Sequence, residues 1–384
     1  MLARIAVLIV LLLVLAGVVG YWWTLPETTS SAADRESVFE KTFTEVAFQD
    51  DSTSDQILEM ARKELEQFRE KWPNSPLPWN AQADFDFRTG DAEGAQAAWT
   101  KSLEFDRRNA DAIFGLANLA FEAGRYDEAA ALCESLGAEE GRNPRVPLLL
   151  ADTYLNQNKP DLAALTLEQH IASERASVQA LEMLGSAKMR LKKYDEAIEV
   201  LLAVLQFNPK STKAHYELAQ AYLRKSDREK ANVHLDEFKR LEKEDSENTS
   251  LGAQRFVDRE HAVSVSAQVL ADMSVALRRL GDGEGGEDKM LRALKLQPDR
   301  LAWLQELQDL YQSQEKALET IDVLKRIAEL EPEKVDHLLA IGGLYSQLEQ
   351  AEPAVEYFRK AIALAPEDPR CLEAKKIIEQ QLNE

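Results

Sequence analysis

The sequence predicts an all-α solenoid of antiparallel helix pairs, and three observations carry that reading. Small and bulky apolar residues recur together every 34 residues, with unit starts at Pro76, Ala110, Pro144, Val178 and Thr212, then in the same phase at Ala267, Leu301 and Val335. Turn signals such as Thr89-Gly90-Asp91, Ala123-Gly124-Arg125 and Lys193-Tyr194-Asp195 fall midway through their units and divide each into two helices of about 14 residues. Only 16 Gly and 13 Pro occur among 384 residues that are 45% hydrophobic, which excludes collagen-like and disordered chains and supplies a large core.

From the N-terminus, Ile5 to Trp23 is a run of 19 uncharged, almost wholly apolar residues. As a helix rising about 1.5 Å per residue it would span about 28 Å, close to a bilayer core. Tyr21, Trp22 and Trp23 suit the headgroup level, Arg4 lies upstream, and no Lys or Arg follows until Arg35. This predicts a transmembrane signal anchor over residues 1–25, with the N-terminus cytoplasmic and the rest extracytoplasmic, periplasmic in a bacterium. The competing reading is a signal peptide cleaved near Ala33, where Ser31-Ala32-Ala33 offers small residues, and a secreted product. Residues 26–53 read as a polar tether with a reach on the order of 30 Å if flexible, although 38–48 suits a short amphipathic helix.

Within the repeating units, position 8 is small in most cases (Ala83, Ala117, Ala151, Gly185, Ala219, Ser274, Gly342) and so is position 20 (Ala95, Ala129, Ala163, Ala197, Ala231, Gly286, Ala354). Position 24 carries bulk, as Trp99, Leu167, Leu201, Leu235, Met290, Leu324 and Phe358. Small residues let two helices approach, and the bulky one fills the space beside them.

These residues resemble the tetratricopeptide repeat. Leu184-Gly185 with Tyr194-Asp195-Glu196-Ala197 and Pro209, and Ile341-Gly342 with Tyr345, Ala354, Phe358, Ala361 and Pro366, are close matches to its pattern. Departures at Gln82, Gln308, His170 and the four positions where Arg107, Gly141, Arg175 and Lys243 replace Pro are local. The resemblance implies a right-handed superhelix of five repeats over 76–245 and three over 267–368. A degenerate half repeat over 54–75, marked by Ala61, Leu65, Phe68 and Pro73, precedes them, and 369–384 reads as an amphipathic capping helix. Residues 246–266 interrupt the period. An inserted helix and a flexible hinge compete there, with Phe256, Val257 and Val263 favouring ordered packing.

Lys plus Arg number 46 against 67 Asp plus Glu, a net charge of −21 that repels phosphate backbones and makes nucleic acid an unsuitable partner. Cys133 and Cys371 form no CxxC pair, and no HExxH, GxSxG or Walker A element occurs, so no enzyme activity, cofactor or metal is expected. The five histidines are separated in sequence and read as helix-interface residues, and Cys133 as a small core residue. Gly281-Asp282-Gly283-Glu284-Gly285-Gly286 fits GxGxxG, but it has no preceding strand and carries carboxylates that repel a pyrophosphate; it reads as a solvated loop.

The resemblance implies a concave face lined by the first helix of each unit. There Phe87, Phe121, Leu155, Met189 and Leu223, with Phe114, Leu148 and Tyr216, would form an apolar groove flanked by Asp84, Asn118, Asp152 and Glu182. The alternative is that these apolar positions are structural. After the interruption the matching residues turn polar, as Arg278, Gln312 and Ser346. With the N-terminal anchor, a groove of that composition predicts a membrane-tethered scaffold that binds a protein or extended peptide bearing apolar and basic residues; the alternative is an assembly factor resembling the membrane-anchored repeat proteins of envelope biogenesis. The Lys, Asn and Arg set with which chaperone-binding members of the family grip a C-terminal carboxylate does not recur here.

Overall fold

The computed structural model describes residues 37, 39, 52–136, 143–173, 177–249 and 253–381. Every described element is a helix: α1 Ser54–Lys71, α2 Leu77–Arg88, α3 Ala92–Phe105, α4 Ala110–Glu122, α5 Tyr126–Ser135, α6 Arg145–Asn156, α7 Pro160–Ser173, α8 Val178–Arg190, α9 Tyr194–Phe207, α10 Thr212–Arg224 and α11 Arg228–Thr249. They continue as α12 Ala253–Arg279, α13 Gly283–Leu296, α14 Leu301–Ser313, α15 Ala317–Leu330, α16 Val335–Gln347, α17 Ala351–Leu364 and α18 Pro369–Gln381.

Helix starts follow side-chain capping. Asp91, Asn109, Ser177, Ser211 and Asp282 each accept a hydrogen bond from the backbone N–H three residues on, and Thr53 and Gln56 form a reciprocal capping box on α1. The turn inside each unit has one geometry. Gly90, Gly124, Asn158, Lys192, Ser226, Gly281, Glu315 and Glu349 all have φ between 57° and 86°, and each is position 15 of its unit. Five of the eight are not glycine, so most turns hold an L-residue in the left-handed region.

The small-against-large rule explains the packing within units. A Cβ on Gly185 would lie 2.5 Å from Cδ2 of Leu201, and one on Gly342 would lie 2.6 Å from Cδ1 of Phe358. Across units, Gly115 faces the buried ring of Trp99 so closely that a Cβ would overlap it. Position 11, tyrosine in the resembled pattern, is something else in four units, as Asp86, Ala120, Lys188 and Leu277, and one of these departures is telling. Lys188 is buried there, with its ammonium 2.5 Å from Glu168 and 2.6 Å from Glu196.

From α2 to α11, each helix packs on the next, and the first helices of consecutive units also touch one another. Second helices of consecutive units make no comparable contact, so the stack is more closely spaced on the first-helix side, which is the inner side of the curve.

Of residues 246–266, those described lengthen the flanking helices: 246–249 extend α11, which has 22 residues, and 253–266 open α12, which has 27. The lengthened α12 returns to the start of the first array, where it packs on α1 and α2 as a first helix packs on the second helix of its unit. Leu65, Phe68 and Phe85 meet Val265, Val269, Met273 and Leu277 in one buried cluster. The same α12 pairs with α13 as the first helix of the second array. One helix therefore belongs to two arrays. Polar contacts seal the joint, with Ser266 Oγ donating to the Ile57 carbonyl at 3.3 Å and Lys71 pairing with Asp282 at 2.6 Å. Asp282 caps α13 and bonds across the joint, so the glycine-rich loop is not the freely solvated one expected.

The expected single-pass membrane placement with extracytoplasmic repeats is overturned: among the described residues no helix is long and apolar enough to cross a membrane. The longest, α11 and α12, are broken up by charged residues such as Glu242, Lys243, Arg259 and Asp272. The apolar run 5–23, with Arg4, Tyr21, Trp22 and Trp23, and the cleavage signal near Ala33 lie outside the described residues. Within the expected tether, Phe39 packs against the buried cluster of the second array to which Trp303 and Leu304 belong, so at that residue the segment is docked.

Candidate partner-binding groove

The groove residues arise from helix periodicity: positions 5, 9 and 12 of a unit's first helix fall on one face, and α2, α4, α6, α8 and α10 present that face inward. The structure divides them between two cavities. The first, about 360 Å³, is lined by Asp84, Phe87, Phe114 and Asn118 and is closed on its far side by Gln268, Asp272 and Arg279 of α12. The second, about 510 Å³, gathers Asp152, Leu155, Glu182, Met189 and Tyr216 with Glu217 and Lys213. Phe121, Leu148 and Leu223 line neither.

Two of the apolar residues serve the core more than the groove. Phe114 is 8% exposed and packs with Ala117, Cys133 and Val146; Leu155 is 6% exposed and packs with Ala151, Ala163 and Leu167. Phe87 lies against Trp99 at 5.7 Å between ring centroids, and Phe121 meets Tyr126 edge-on at 5.6 Å. Leu148 is half-buried against the α6–α8 core. Tyr216 and Leu223 remain open, 45% and 52% exposed on α10.

The acidic flank is more deeply placed than sequence reading implied. Asp84 is half-buried by area, yet its carboxyl is densely surrounded and its pKa is pushed up to about 7, first by burial and then by the charge of Asp272, with Arg88 and Arg145 opposing. Burial also raises Asp272, against the hydrogen bond it accepts from Gln268 Nε2 at 2.9 Å. In the second cavity burial raises Glu217, which accepts from Ser186 Oγ at 2.6 Å through Oε1 and has no partner on its buried Oε2. Ser211 Oγ donates to Glu182 at 2.5 Å. Asp152 receives Asn156 Nδ2 at 3.2 Å.

Sequence reading missed the contribution of α12. Gln268 and Arg279 are positions 2 and 13 of their unit, which the resemblance places on the concave face, so that signal was present; nothing in the period foretold that this face would be turned onto the first array. It also missed a histidine pair. His215 Nδ1 lies 3.1 Å from His234 Nδ1, its Nε2 meets the Pro209 carbonyl at 3.1 Å, and His234 stacks on Tyr222. Among the described residues no group of three or more His, Cys, Asp or Glu is placed to hold a metal ion. Cys133 is buried, and its thiol is pushed up to about 12 by burial and then by Glu134, which keeps it protonated and unreactive at neutral pH.

Comparisons with known proteins bear on these units directly. Family models described as tetratricopeptide repeat match residues 86–140, 120–184 and 338–368, and one described as TPR repeat matches 185–226. Over residues 86–226 and 338–368 the chain therefore carries tetratricopeptide repeats. The units beginning at Ala267 and Leu301 lie outside the matched segments and share the same phase and the same left-handed residue at position 15. No curated protein matches the chain. Among solved structures, the TPR chain is similar to YrrB, titled a TPR protein with an unusual peptide-binding site, at 24% identity over 46% of this chain and 91% of that one, with a TM-score of 0.42. It is also similar to MamA, at 20% identity over 43% and 96% with a TM-score of 0.41. A further match is MamA from Desulfovibrio magneticus RS-1, at 17% identity over 52% and 98% with a TM-score of 0.40.

Proposed function

We propose that this TPR protein is a non-enzymatic scaffold whose first array holds an extended segment of a partner protein along its inner face. The observation that carries the reading is that the open Tyr216 of α10 lines a cavity together with Asp152 of α6, Glu182 of α8 and Glu217 of α10, while Leu223 stands exposed further along α10. Apolar surface ringed by carboxyl groups suits a segment that combines apolar anchors with lysine or arginine. Repeat arrays bind in this way because their stacked first helices make a continuous surface longer than any one repeat.

The reading is tested with photo-crosslinkers at positions 121 and 216 and, as an outer-face control, at Val233, which is also exposed. Adducts from 121 and 216 that map to one short segment of one protein are expected. Capture from 233 alone would move the binding surface to the second helices. Tyr216→Ala with Leu223→Ala should abolish capture while circular dichroism stays unchanged.

A further inference from the structure

We propose that the cavity between α2, α4 and α12 is a cation pocket that takes the head of one lysine or arginine side chain between Asp84 and Asp272. The inference rests on the groove reading above and deepens it, because it assigns one side chain of the docked segment to one place.

Three acceptors converge on this cavity without donors to match. Among the described residues none donates a hydrogen bond to the Asp84 carboxyl. Asp272 is held through Oδ1 by Gln268, which leaves Oδ2 free to accept another donor. Asn80 is buried in the cavity wall, with its Nδ2 committed to Asn109 Oδ1 at 2.9 Å and its own Oδ1 unpartnered. An orphaned buried acceptor costs roughly 1–3 kcal/mol. A guanidinium or ammonium group brings several donors and no acceptor, which is the complement of this set.

The chain's own cations do not fill the role. Arg88, Arg145 and Arg279 border the cavity but are exposed, and none of them hydrogen-bonds Asp84 or Asp272. Arg145 is instead spread over the Phe114 ring, 4.8 Å from its centroid. That contact shows that the aromatic wall accepts a guanidinium. Asp111 adds a third carboxyl to the lining. An anion would be attracted by the three arginines at the mouth but repelled by the carboxyl groups inside. At about 360 Å³ the cavity lies near the lower end of ligand pockets, large enough for one side-chain head and too small for a folded partner. Asp272 lies on the helix that the two arrays share, so a cation held there would bridge both.

The test uses the full chain with ¹³C-labelled aspartate carboxyls, assigned through Asp84→Asn and Asp272→Asn, and follows the Asp84 titration by NMR. The probes are n-butylguanidinium, its uncharged analogue n-butylurea, and inorganic phosphate. With butylguanidinium the Asp84 midpoint should fall by about one unit or more, equivalent to about tenfold tighter binding to the ionised pocket, and Asp272 should respond as well. Butylurea should do neither. Equal responses to the two analogues, no movement of Asp84, or a response to phosphate alone would each overturn the pocket. Crosslinking from position 121 reads the groove separately, so intact capture with a silent titration would reject the pocket and leave the scaffold reading standing.

Discussion

Glu64 and Arg292 are joined by a 2.6 Å ion pair across 228 residues of chain, at the joint where the two arrays share α12. Lys289 approaches the same carboxylate at 2.7 Å, and all three side chains are less than a quarter exposed. Removing the shared anion leaves two half-desolvated cations with only Asp288 between them. Glu64→Gln should therefore destabilise the fold by about 1–2 kcal/mol, below the cost of breaking a fully buried pair because of that remaining partner. Hydrogen exchange should localise the loss to α1 and α13, the helices that the pair joins. Unchanged protection there would show that the apolar cluster alone holds the joint.

Gly115→Ala tests the packing between units. A methyl group raises helix propensity by about 1 kcal/mol, yet here it would meet the fully buried ring of Trp99. Overpacking costs about 1–3 kcal/mol and should win, because a ring enclosed on all sides has nowhere to move. Thermal denaturation should show a lower Tm, partly restored by adding Trp99→Leu. A neutral Gly115→Ala would mean that the α3–α4 contact yields more easily than its geometry implies.

The left-handed turns predict a gain. Lys192 and Glu349 hold φ of 61° and 58° at positions where other units carry glycine. That conformation costs an L-residue about 1–2 kcal/mol, while glycine adds about 0.5–1 kcal/mol of unfolded-state entropy. Lys192→Gly and Glu349→Gly should each stabilise by about 0.5–1 kcal/mol in urea melts, and destabilisation by either would refute the account.

The raised Asp84 sets a pH dependence with a definite sign. Between its ordinary value of 3.8 and about 7 the folded protein holds a proton that the unfolded chain has released, so this contribution to stability falls as pH rises through that window. Asp272 and Asp111 push in the same direction, and Arg88 and Arg145 oppose them. Asp84→Asn removes the titration. It should leave stability near pH 4 unchanged and raise it by about 1–3 kcal/mol at pH 8, a range reduced for the residue's half-exposed area. His234, lowered by burial and by His215, acts with the opposite sign, losing its contribution as pH falls below the ordinary histidine value of 6.5.

The repeat architecture was legible because it is a local property. Phase, turn position and the pairing of Gly185 with Leu201 or Gly342 with Phe358 all lie within 34-residue windows, where residue size alone indicates the contact. The buried Lys188 was not legible, since its acceptability depends on Glu168 and Glu196 arriving from two other helices. The joint was hidden for the same reason at longer range: α12 reads as an ordinary first helix, and nothing near residues 265–277 points to Leu65 or Phe85. The groove was half legible. Its acidic flank is where the periodicity put it, whereas Phe114 and Leu155 are drawn into the core because bulky groove positions also border the next interface.

The shared helix also imposes an order on events in time. A linear array assembles repeat by repeat as it is synthesised, each unit finding its partner in the one just made. Among the described residues α1 meets α12 late, since the Ser266 hydroxyl that donates to the Ile57 carbonyl is made 209 residues later. Until then the contacts that Leu65 and Phe68 make with Val265, Val269, Met273 and Leu277 are unmade, and the first array waits for the second to begin. The joint therefore closes only after both arrays have been started.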